Sequence, residues 1–295
     1  MTGIICLDKP AGMTSFSAVK RASRILGVKK AGHTGTLDPM ATGVLVIMLS
    51  NCTRFIELLP EHKKSYIARA RLGVTTDTLD ITGEILSQKD VNVTECQLLE
   101  AAEKFKGEIL QTPPMYSALK KDGERLYDLA RKGIDIPREQ RKITVENLKI
   151  SNFDGKDFTI EVTCSAGTYI RSLCDDIGRE LGCGACMTDL RRTSANGFSV
   201  ETALTLEELE NAVNSGEINK YTVSLEKALE EYNEVTVTAA QAKRFHNGGA
   251  LDGNRINIAP QKGRYRVYSP EKVFLGLGEI IEDGGDLTVK RVYNE

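Results

Sequence analysis

The most informative stretch of this chain reads GHTGTLDPMATG, at residues 32–43, and it holds one carboxylate in a glycine-punctuated loop ahead of an apolar run, 44–49. Pro39 biases Asp38 toward extended geometry, and the glycines tolerate a positive φ or the close approach of a ligand to the backbone. A loop of this kind presents a single nucleophile. The alternative is that Asp38 only closes an Asx turn, which is the commonest role of Asp beside Pro.

The same stretch resembles the catalytic motif of the TruB-type pseudouridine synthases, bacterial enzymes that isomerise uridine 55 in the TΨC loop of tRNA. Four further segments are similar to motifs of that family and follow in the same order along the chain. They are KPAGMTS at 9–15, KSY at 64–66, GTYIRSL at 167–173 and LRRT at 190–193. The resemblance covers roughly residues 3–230 and is weaker beyond them.

The resemblance implies that the chain isomerises uridine to pseudouridine without a cofactor. Asp38 would be the nucleophile, and Arg171 would pair with it, keep it ionised and fix its direction. Tyr66 would stack on the uracil and help move a proton, while Tyr169 and Leu190 would line the pocket. Taken as isolated residues, the arginine fits a helix surface equally well, and the other three fit an ordinary core.

Two further residues acquire roles only through the resemblance. His33 would support the flipped-out nucleotide by stacking on a base or by hydrogen-bonding a phosphate, where the plain alternative is a histidine packed in its loop. Lys9 would support the loop or contact a phosphate, where the alternative is a surface lysine before a turn. The target uridine lies inside the folded T arm, so it must be extruded before any carboxylate can reach it.

Composition limits the class of protein: 295 residues with 41% hydrophobic and 27% charged side chains describe a chain large enough for one big domain and a small one. The longest apolar run, 44–49, is far below the roughly 20 residues that span a bilayer. The N-terminus shows no basic region leading into an apolar one. The sequence therefore predicts a cytoplasmic protein.

Cysteine usage predicts reduced thiols in the core. The chain has seven cysteines, an odd number, without the spacing of a disulfide framework. Cys183 and Cys186 form one CxxC pair, but a structural zinc site needs four ligands and no second pair is visible. We expect no metal and no cofactor.

Charge is distributed unevenly although the formal net charge is only -2. Residues 1–33 carry six Lys and Arg against one Asp, whereas residues 200–234 carry nine Glu against two Lys. This asymmetry predicts a basic face that suits RNA. A second basic stretch, 120–142, has eight Lys and Arg interleaved with five acids, so it fits an RNA contact and a solvated helix and loop equally well.

Periodicity and capping signals predict the local structure. Strands are expected at 4–7, 44–49, 66–72 and 158–164, and alternation in the third of them turns Tyr66 inward. Helices are expected at 17–26, from a Thr94 and Gln97 capping box to about Gly107, and from a Thr168 cap to Leu181.

These elements favour an α+β fold: a catalytic domain, 1–232, on a mixed, largely antiparallel sheet, and a small β-rich domain, 233–295. The second domain is expected to hold a helix at 239–245 and strands at 235–237, 265–268, 273–277 and 287–292. It resembles a PUA-type RNA-binding domain.

Three functions remain open at this level. The leading one is a monomeric tRNA pseudouridine synthase that acts on the T arm and needs no protein partner. The second is the catalytic subunit of a guide-RNA pseudouridylation complex, and the third is a non-catalytic RNA-binding or RNA-folding protein. Asp38 argues against the third, and the absence of long basic extensions argues against the second.

Overall fold

The computed structural model describes residues 1–60, 63–121 and 123–294, and its strands fall into one large sheet, one small sheet and two short hairpins. In chain order the strands are β1 Gly3–Lys9, β2 Ala31–His33, β3 Thr42–Leu49, β4 Lys64–Leu72, β5 Val74–Thr76, β6 Ile85–Gln88, β7 Gly107–Gln111, β8 Lys120–Lys121, β9 Glu124–Arg125, β10 Arg141–Ser151, β11 Asp157–Cys164, β12 Ala185–Ala195, β13 Phe198–Ser199, β14 Asn233–Thr236, β15 Gly263–Tyr268, β16 Phe274–Ile280 and β17 Thr288–Val292.

The α-helices are α1 Ser15–Ile25, α2 Glu95–Glu103, α3 Leu126–Arg131, α4 Ile170–Glu180, α5 Leu206–Asn214, α6 Leu225–Ala228 and α7 Ala239–His246. Short 3₁₀ helices occupy Ser50–Leu58, Val200–Thr202, Ile218–Tyr221 and Gly253–Arg255. No helix among the described residues is long and apolar enough to cross a membrane.

The large sheet has nine strands in the order β1-β3-β12-β4-β11-β10-β7, with β2 paired to β3 and β13 to β12. Its strand pairs are antiparallel except for β3 with β12, which run parallel over Thr42 and Gly43 against Arg191 and Arg192. The expected α+β class and the mixed, largely antiparallel sheet are therefore confirmed. The parallel pair joins the loop that carries Asp38 to the LRRT segment.

Gly43 makes that pairing possible. Its φ is +100°, and a Cβ built on it would lie 2.1 Å from the backbone oxygen of Arg192. Every residue with a side chain would both strain this backbone and push the two strands apart, so the close approach requires glycine.

Apolar residues cover both faces of the sheet around β1 and β3. Ile5, Leu45 and Ile47 point to the side on which α1 and α5 pack. Val44 and Val46 point to the other side, where residues of the small sheet join the same core. Burial on both faces explains why the run 44–49 is continuously apolar instead of alternating.

The expected alternation of β4 is confirmed, because Tyr66, Ala68, Ala70 and Leu72 are buried while the residues between them are exposed. The Thr94 and Gln97 capping box is also present, but α2 ends at Glu103 because Gly107 already starts β7.

Two details of the sequence reading were wrong. Thr168 does not cap α4, since its hydroxyl donates to the Ser165 carbonyl at 3.0 Å and Tyr169 occupies the N-cap position. Helix α1 begins at Ser15 and not at residue 17, because the Thr14 hydroxyl accepts from the Ser17 amide and caps it earlier.

The seven cysteines are all free, as expected. Six of them are buried, but Cys96 is exposed on α2 and does not belong to the core, so this part of the prediction was wrong.

The C-terminal residues form a four-stranded sheet in the order β14-β15-β16-β17, with β14 parallel to β15. The expected helix is present as α7, and its Thr238 and Gln241 form a capping box. This sheet has its own core, which includes Val235, Phe245 and Val267.

Candidate active site

Asp38 lies in the loop between β2 and β3, and the KPAGMTS segment forms hydrogen bonds with the backbone of that loop. The Ser15 hydroxyl donates to the Leu37 carbonyl at 3.0 Å and accepts from the Leu37 amide at 2.8 Å. The Gly12 amide donates to the Pro39 carbonyl at 2.8 Å. Backbone groups on both sides of Asp38 are therefore fixed by a segment more than twenty residues upstream.

Lys9 supports the same loop from inside the protein. It is fully buried, and its ammonium donates to the carbonyls of Pro10 at 2.8 Å, Met13 at 2.7 Å and Pro39 at 3.3 Å. Burial lowers its pKa to about 8, against the opposing effect of Asp38. Of the two roles considered for Lys9, this geometry fits loop support and leaves the side chain out of reach of a phosphate.

Arg171, at the start of α4, brings the opposing cation to Asp38. Its Nε lies 2.9 Å from Asp38 Oδ2, and its Nη2 donates to Oδ1 at 3.3 Å. The Arg171 side chain is only 6% exposed, whereas that of Asp38 is 33% exposed. The two-point contact leaves the carboxylate fixed in direction and still accessible to a substrate.

The Asp38 carboxyl has an elevated pKa. Burial raises it above its usual value, Arg171 opposes that shift, and nearby Asp80 adds to it. Arg171 therefore limits the effect of burial on Asp38 without cancelling it.

Asp80 is a site residue that the sequence reading missed. It is 5% exposed, and its Oδ2 lies 3.6 Å from Arg171 Nη1. The Thr82 amide and hydroxyl both donate to the other carboxylate oxygen, in an Asx-type turn. The only local signal was the turn sequence DITG at 80–83, which says nothing of a partner in α4.

Arg171 also donates hydrogen bonds to two backbone carbonyls, those of Thr78 at 2.8 Å and Tyr116 at 2.7 Å. These contacts hold the guanidinium in place beside Asp38.

Gln111 fixes the start of α4. Its side-chain oxygen accepts from the Tyr169 amide at 2.8 Å, and its side-chain nitrogen donates to the Tyr169 carbonyl at 3.0 Å. Gln111 is 2% exposed, and no local sequence signal indicated this role.

Tyr66 and Leu190 lie on neighbouring strands and share one apolar cluster with Leu37, Ala41 and Ile170. Tyr66 is 8% exposed and Leu190 6% exposed. Burial raises the pKa of the Tyr66 phenol, and the Arg192 guanidinium beside it opposes that shift. The phenol is therefore protonated at neutral pH and can donate a hydrogen bond.

Tyr169 is half-buried immediately ahead of Ile170, and burial raises the pKa of its phenol. Its place at the N-terminal end of α4 puts it two residues from Arg171. The structure thus gathers Asp38, Tyr66, Tyr169, Arg171 and Leu190 around one loop.

Arg192 is a third residue to which the sequence analysis assigned no role. It is 1% exposed, and its Nε donates to the Val44 carbonyl at 2.7 Å. Its two terminal nitrogens donate to the carbonyls of Thr36 at 3.3 Å and Gly35 at 3.1 Å. The guanidinium therefore links the loop 34–41 to the first residues of β3.

His33 ends β2, at the N-terminal side of the same loop. Its Nδ1 is buried and has no hydrogen-bond partner among the described residues. Burial and the nearby Arg192 cation lower its pKa. The imidazole is therefore neutral at physiological pH, which suits stacking more than ionic contact.

The basic residues of the N-terminal segment, apart from Lys9, are exposed. They are Lys20, Arg21, Arg24, Lys29 and Lys30, on α1 and the loop after it, and none forms an ion pair with another described residue. By contrast, the stretch 120–142 pairs several of its cations, such as Arg138 with Asp135 at 3.4 Å and Lys142 with Glu108 at 2.8 Å. Asp122 of that stretch lies outside the described residues.

No group of three or more His, Cys, Asp or Glu side chains is placed to hold a metal ion in the part of the chain that the structure describes. Cys183 and Cys186 are both buried.

Comparison with known protein families gives three consecutive matches. Residues 23–170 match the TruB family pseudouridylate synthase N-terminal domain. Residues 171–232 match the tRNA pseudouridylate synthase B C-terminal domain, and residues 233–293 match the C-terminal domain of pseudouridine synthase II TruB.

The chain is 45% identical over 285 residues to the tRNA pseudouridine synthase B of Clostridium acetobutylicum, with 96% of this chain and 97% of that protein covered. It is 43% identical over 300 residues to the protein of the same name from Aeromonas salmonicida, with 98% and 93% covered.

Among solved structures, a chain in the crystal structure of a Cbf5-Nop10-Gar1 complex superposes with a TM-score of 0.76 at 29% identity, with 99% of this chain and 84% of that chain covered. A chain in an H/ACA RNP bound to a substrate RNA containing 2'-deoxyuridine superposes with a TM-score of 0.74 at 27% identity, with 100% and 86% covered. Together with the matched domains and the full-length relatives, these likenesses show that the chain belongs to the TruB family of pseudouridine synthases.

Proposed function

We propose that this protein isomerises uridine to pseudouridine in tRNA, with uridine 55 of the TΨC loop as its target and Asp38 as its nucleophile. The observation that carries the proposal is the pairing of a partly accessible Asp38 with a buried Arg171. The names of its full-length relatives support tRNA as the substrate.

The reaction must break the N-glycosidic bond of uridine, turn the base and join it to the sugar again through C5. A carboxylate suits this sequence, because it can add to the base at C6 or to the sugar at C1′, or assist a glycal route, and can then leave. All three routes are compatible with the residues around Asp38.

Each surrounding residue receives a role that its position supports. Arg171 orients the Asp38 carboxylate. Tyr66 stacks on the uracil, and its protonated phenol assists proton transfer. Tyr169 and Leu190 line the pocket that excludes water, so that the free base is not lost.

The uridine reaches Asp38 only when it is extruded from the T arm. The neutral His33, half-buried at the start of the catalytic loop, supports the RNA around the extruded nucleotide by stacking. The exposed cations of α1 bind the phosphate backbone, because no carboxylate among the described residues pairs with them. Residues 233–295 act as a PUA-like RNA-binding domain beside the catalytic domain, 1–232.

The catalytic subunit of a guide-RNA complex is the second candidate, because the superposed structures include a chain of an H/ACA RNP bound to a substrate RNA. The tRNA pseudouridine synthase B relatives are more similar, at 43–45% identity against 27–29%. We therefore favour a monomer that needs neither a guide nor a protein partner.

The test uses purified full-length protein and an unmodified tRNA transcript with no other RNA or protein. We expect stoichiometric conversion of uridine 55 alone, located by mapping of the pseudouridine and measured by tritium release from uracil-5-labelled tRNA. A matched transcript with cytidine at position 55 should release no label. Turnover only after addition of a guide RNA would support the second candidate, and pseudouridine at another position would overturn the site assignment.

A further inference from the structure

Lys64 is a cation beside the catalytic loop to which the site described above gives no role. It is the first residue of β4 and lies on the same face of that strand as Tyr66, two residues later. The side chain is half-buried. Within the described part of the chain, its ammonium has neither a hydrogen-bond acceptor nor a carboxylate partner.

A second unpaired cation faces the same point of the loop. A Cβ built on Gly35 would lie 3.0 Å from Lys64 Nζ and 3.7 Å from Arg192 Nη1. Arg192 donates to neutral carbonyls, also hydrogen-bonds the Tyr66 phenol, and joins no ion pair among the described residues. Two positive charges therefore converge on Gly35, three residues before Asp38, and no described residue places a negative charge beside them.

Such an arrangement is unfavourable in the protein alone. Burial and the nearby Arg192 cation both lower the pKa of Lys64. The catalytic carboxylate does not relieve this charge, because Asp38 pairs with Arg171. An anion supplied from outside the chain would relieve it, and Gly35 has no side chain that would press on the Lys64 ammonium.

We propose that Lys64, with Arg192 behind it, binds a backbone phosphate of the extruded uridine or of the nucleotide next to it. The proposal rests on the proposed function, since an RNA substrate supplies the phosphate. The position of Lys64 on the strand that carries Tyr66 links phosphate binding to placement of the uracil. Lys64 is therefore an affinity and positioning residue and does not take part in the chemistry.

Lys63 provides a matched control. It is the preceding residue and carries the same charge, but it is 61% exposed and pairs with Glu146 at 2.5 Å. Lys64→Gln and Lys63→Gln therefore make the same change in net charge, at an unpaired position and at a paired one.

The first measurement is tRNA affinity as a function of salt concentration. We expect Lys64→Gln to weaken binding roughly tenfold or more, as for the loss of a charge-assisted hydrogen bond. The slope of log affinity against log salt should fall by about 0.7–0.9, the value for one phosphate contact. Lys64→Arg should keep most of the affinity, and Lys63→Gln should behave as wild type.

The second measurement locates the phosphate. In T-arm stem-loops, the phosphates around uridine 55 are replaced one at a time by neutral methylphosphonates. At the position whose phosphate contacts Lys64, the methylphosphonate should weaken binding by wild type and by Lys63→Gln. The same substitution should hardly weaken binding by Lys64→Gln, which has already lost that contact. The proposal would be overturned if, at every position, the loss of affinity from the methylphosphonate simply added to the loss from Lys64→Gln. Unchanged affinity of Lys64→Gln for tRNA would also overturn it.

Thermal unfolding separates this role from a structural one. Removal of the Lys64 charge relieves its repulsion with Arg192, so Lys64→Gln should unfold at the same or a higher temperature than wild type. A lower unfolding temperature with unchanged tRNA affinity would overturn the proposal. If wild type neither binds nor modifies tRNA, the proposed function fails; if it does both and Lys64→Gln matches it, only the phosphate site fails.

Discussion

Asp38 is the residue on which the proposed chemistry depends. Asp38→Asn keeps a side chain of the same size, whose amide oxygen can still accept from Arg171, so we expect the fold and tRNA binding to persist. The amide is not a nucleophile, so tritium release should disappear. Single-turnover kinetics with saturating enzyme measure this. Appreciable turnover by the pure, folded variant would exclude Asp38 as the nucleophile.

The pH dependence of the rate should report the elevated pKa of Asp38. A nucleophilic carboxylate must be ionised, and burial raises its pKa above the usual 3.8. The single-turnover rate should therefore fall on acidification at a higher pH than an ordinary aspartate would give. Because the folded-state pKa is above the unfolded one, protonation of Asp38 favours the fold, so activity should fall before the circular dichroism changes. Full activity down to pH 3.8 would contradict this.

Tyr66 offers both an aromatic ring and a protonated hydroxyl, and two substitutions separate them. Tyr66→Phe keeps the stacking surface, so we expect near-normal tRNA affinity and a single-turnover rate lower by roughly 10²–10⁴. Tyr66→Leu should also lose stacking, which is worth about 1–3 kcal/mol per base. Binding and rapid-quench measurements distinguish these effects. A wild-type rate for the Phe variant would limit Tyr66 to stacking.

At the scale of elements, the site depends on the parallel contact between β3 and β12. Gly43→Ala would introduce a positive-φ strain of about 1–2 kcal/mol and also place a Cβ 2.1 Å from the Arg192 backbone. We expect a cost well above the strain alone, measured by urea unfolding. Gly155→Ala is the matched control, since its φ is +102° and nothing lies within 4 Å of the new Cβ. Equal losses for the two variants would refute the close-approach argument.

At the scale of the whole molecule, the small C-terminal sheet is packed on the catalytic domain. Phe274 and Leu277 belong to the same core as Ile4 and Val46. Aromatic rings also meet at this interface. The ring centroid of Tyr293 lies 5.4 Å from that of Phe274 and 6.1 Å from that of Phe55. A change to these interface residues should therefore act on stability as well as on the RNA binding proposed for the tail.

Removal of residues 233–295 should accordingly lower the unfolding temperature of the remainder, because it exposes the apolar surface beneath Phe274 and Leu277. In the full-length chain, Phe274→Ala should cost about 3–5 kcal/mol, as for a buried aromatic residue. Calorimetry and denaturant unfolding check both. A truncated chain as stable as wild type would show that the interface contributes little, and would make truncation a clean test of RNA binding by the tail.

Local signals in the sequence were sufficient for some of the elements. The alternation of β4, the Thr94 and Gln97 capping box and the apolar run of β3 each depend on residues a few positions apart, so they can be read from the sequence. The family motifs also singled out Asp38 and Arg171. Their roles in the reaction remain predictions.

The tertiary structure decided which distant groups meet. Asp38 and Arg171 are 133 residues apart, and only the packing of α4 beside the catalytic loop brings them together. Register and packing likewise buried Lys9, gave Arg171 a second carboxylate in Asp80, and set Lys64 against Arg192. The physical reason is that spacing along the chain determines local backbone geometry, whereas a side chain's partner and burial depend on how complete strands and helices pack.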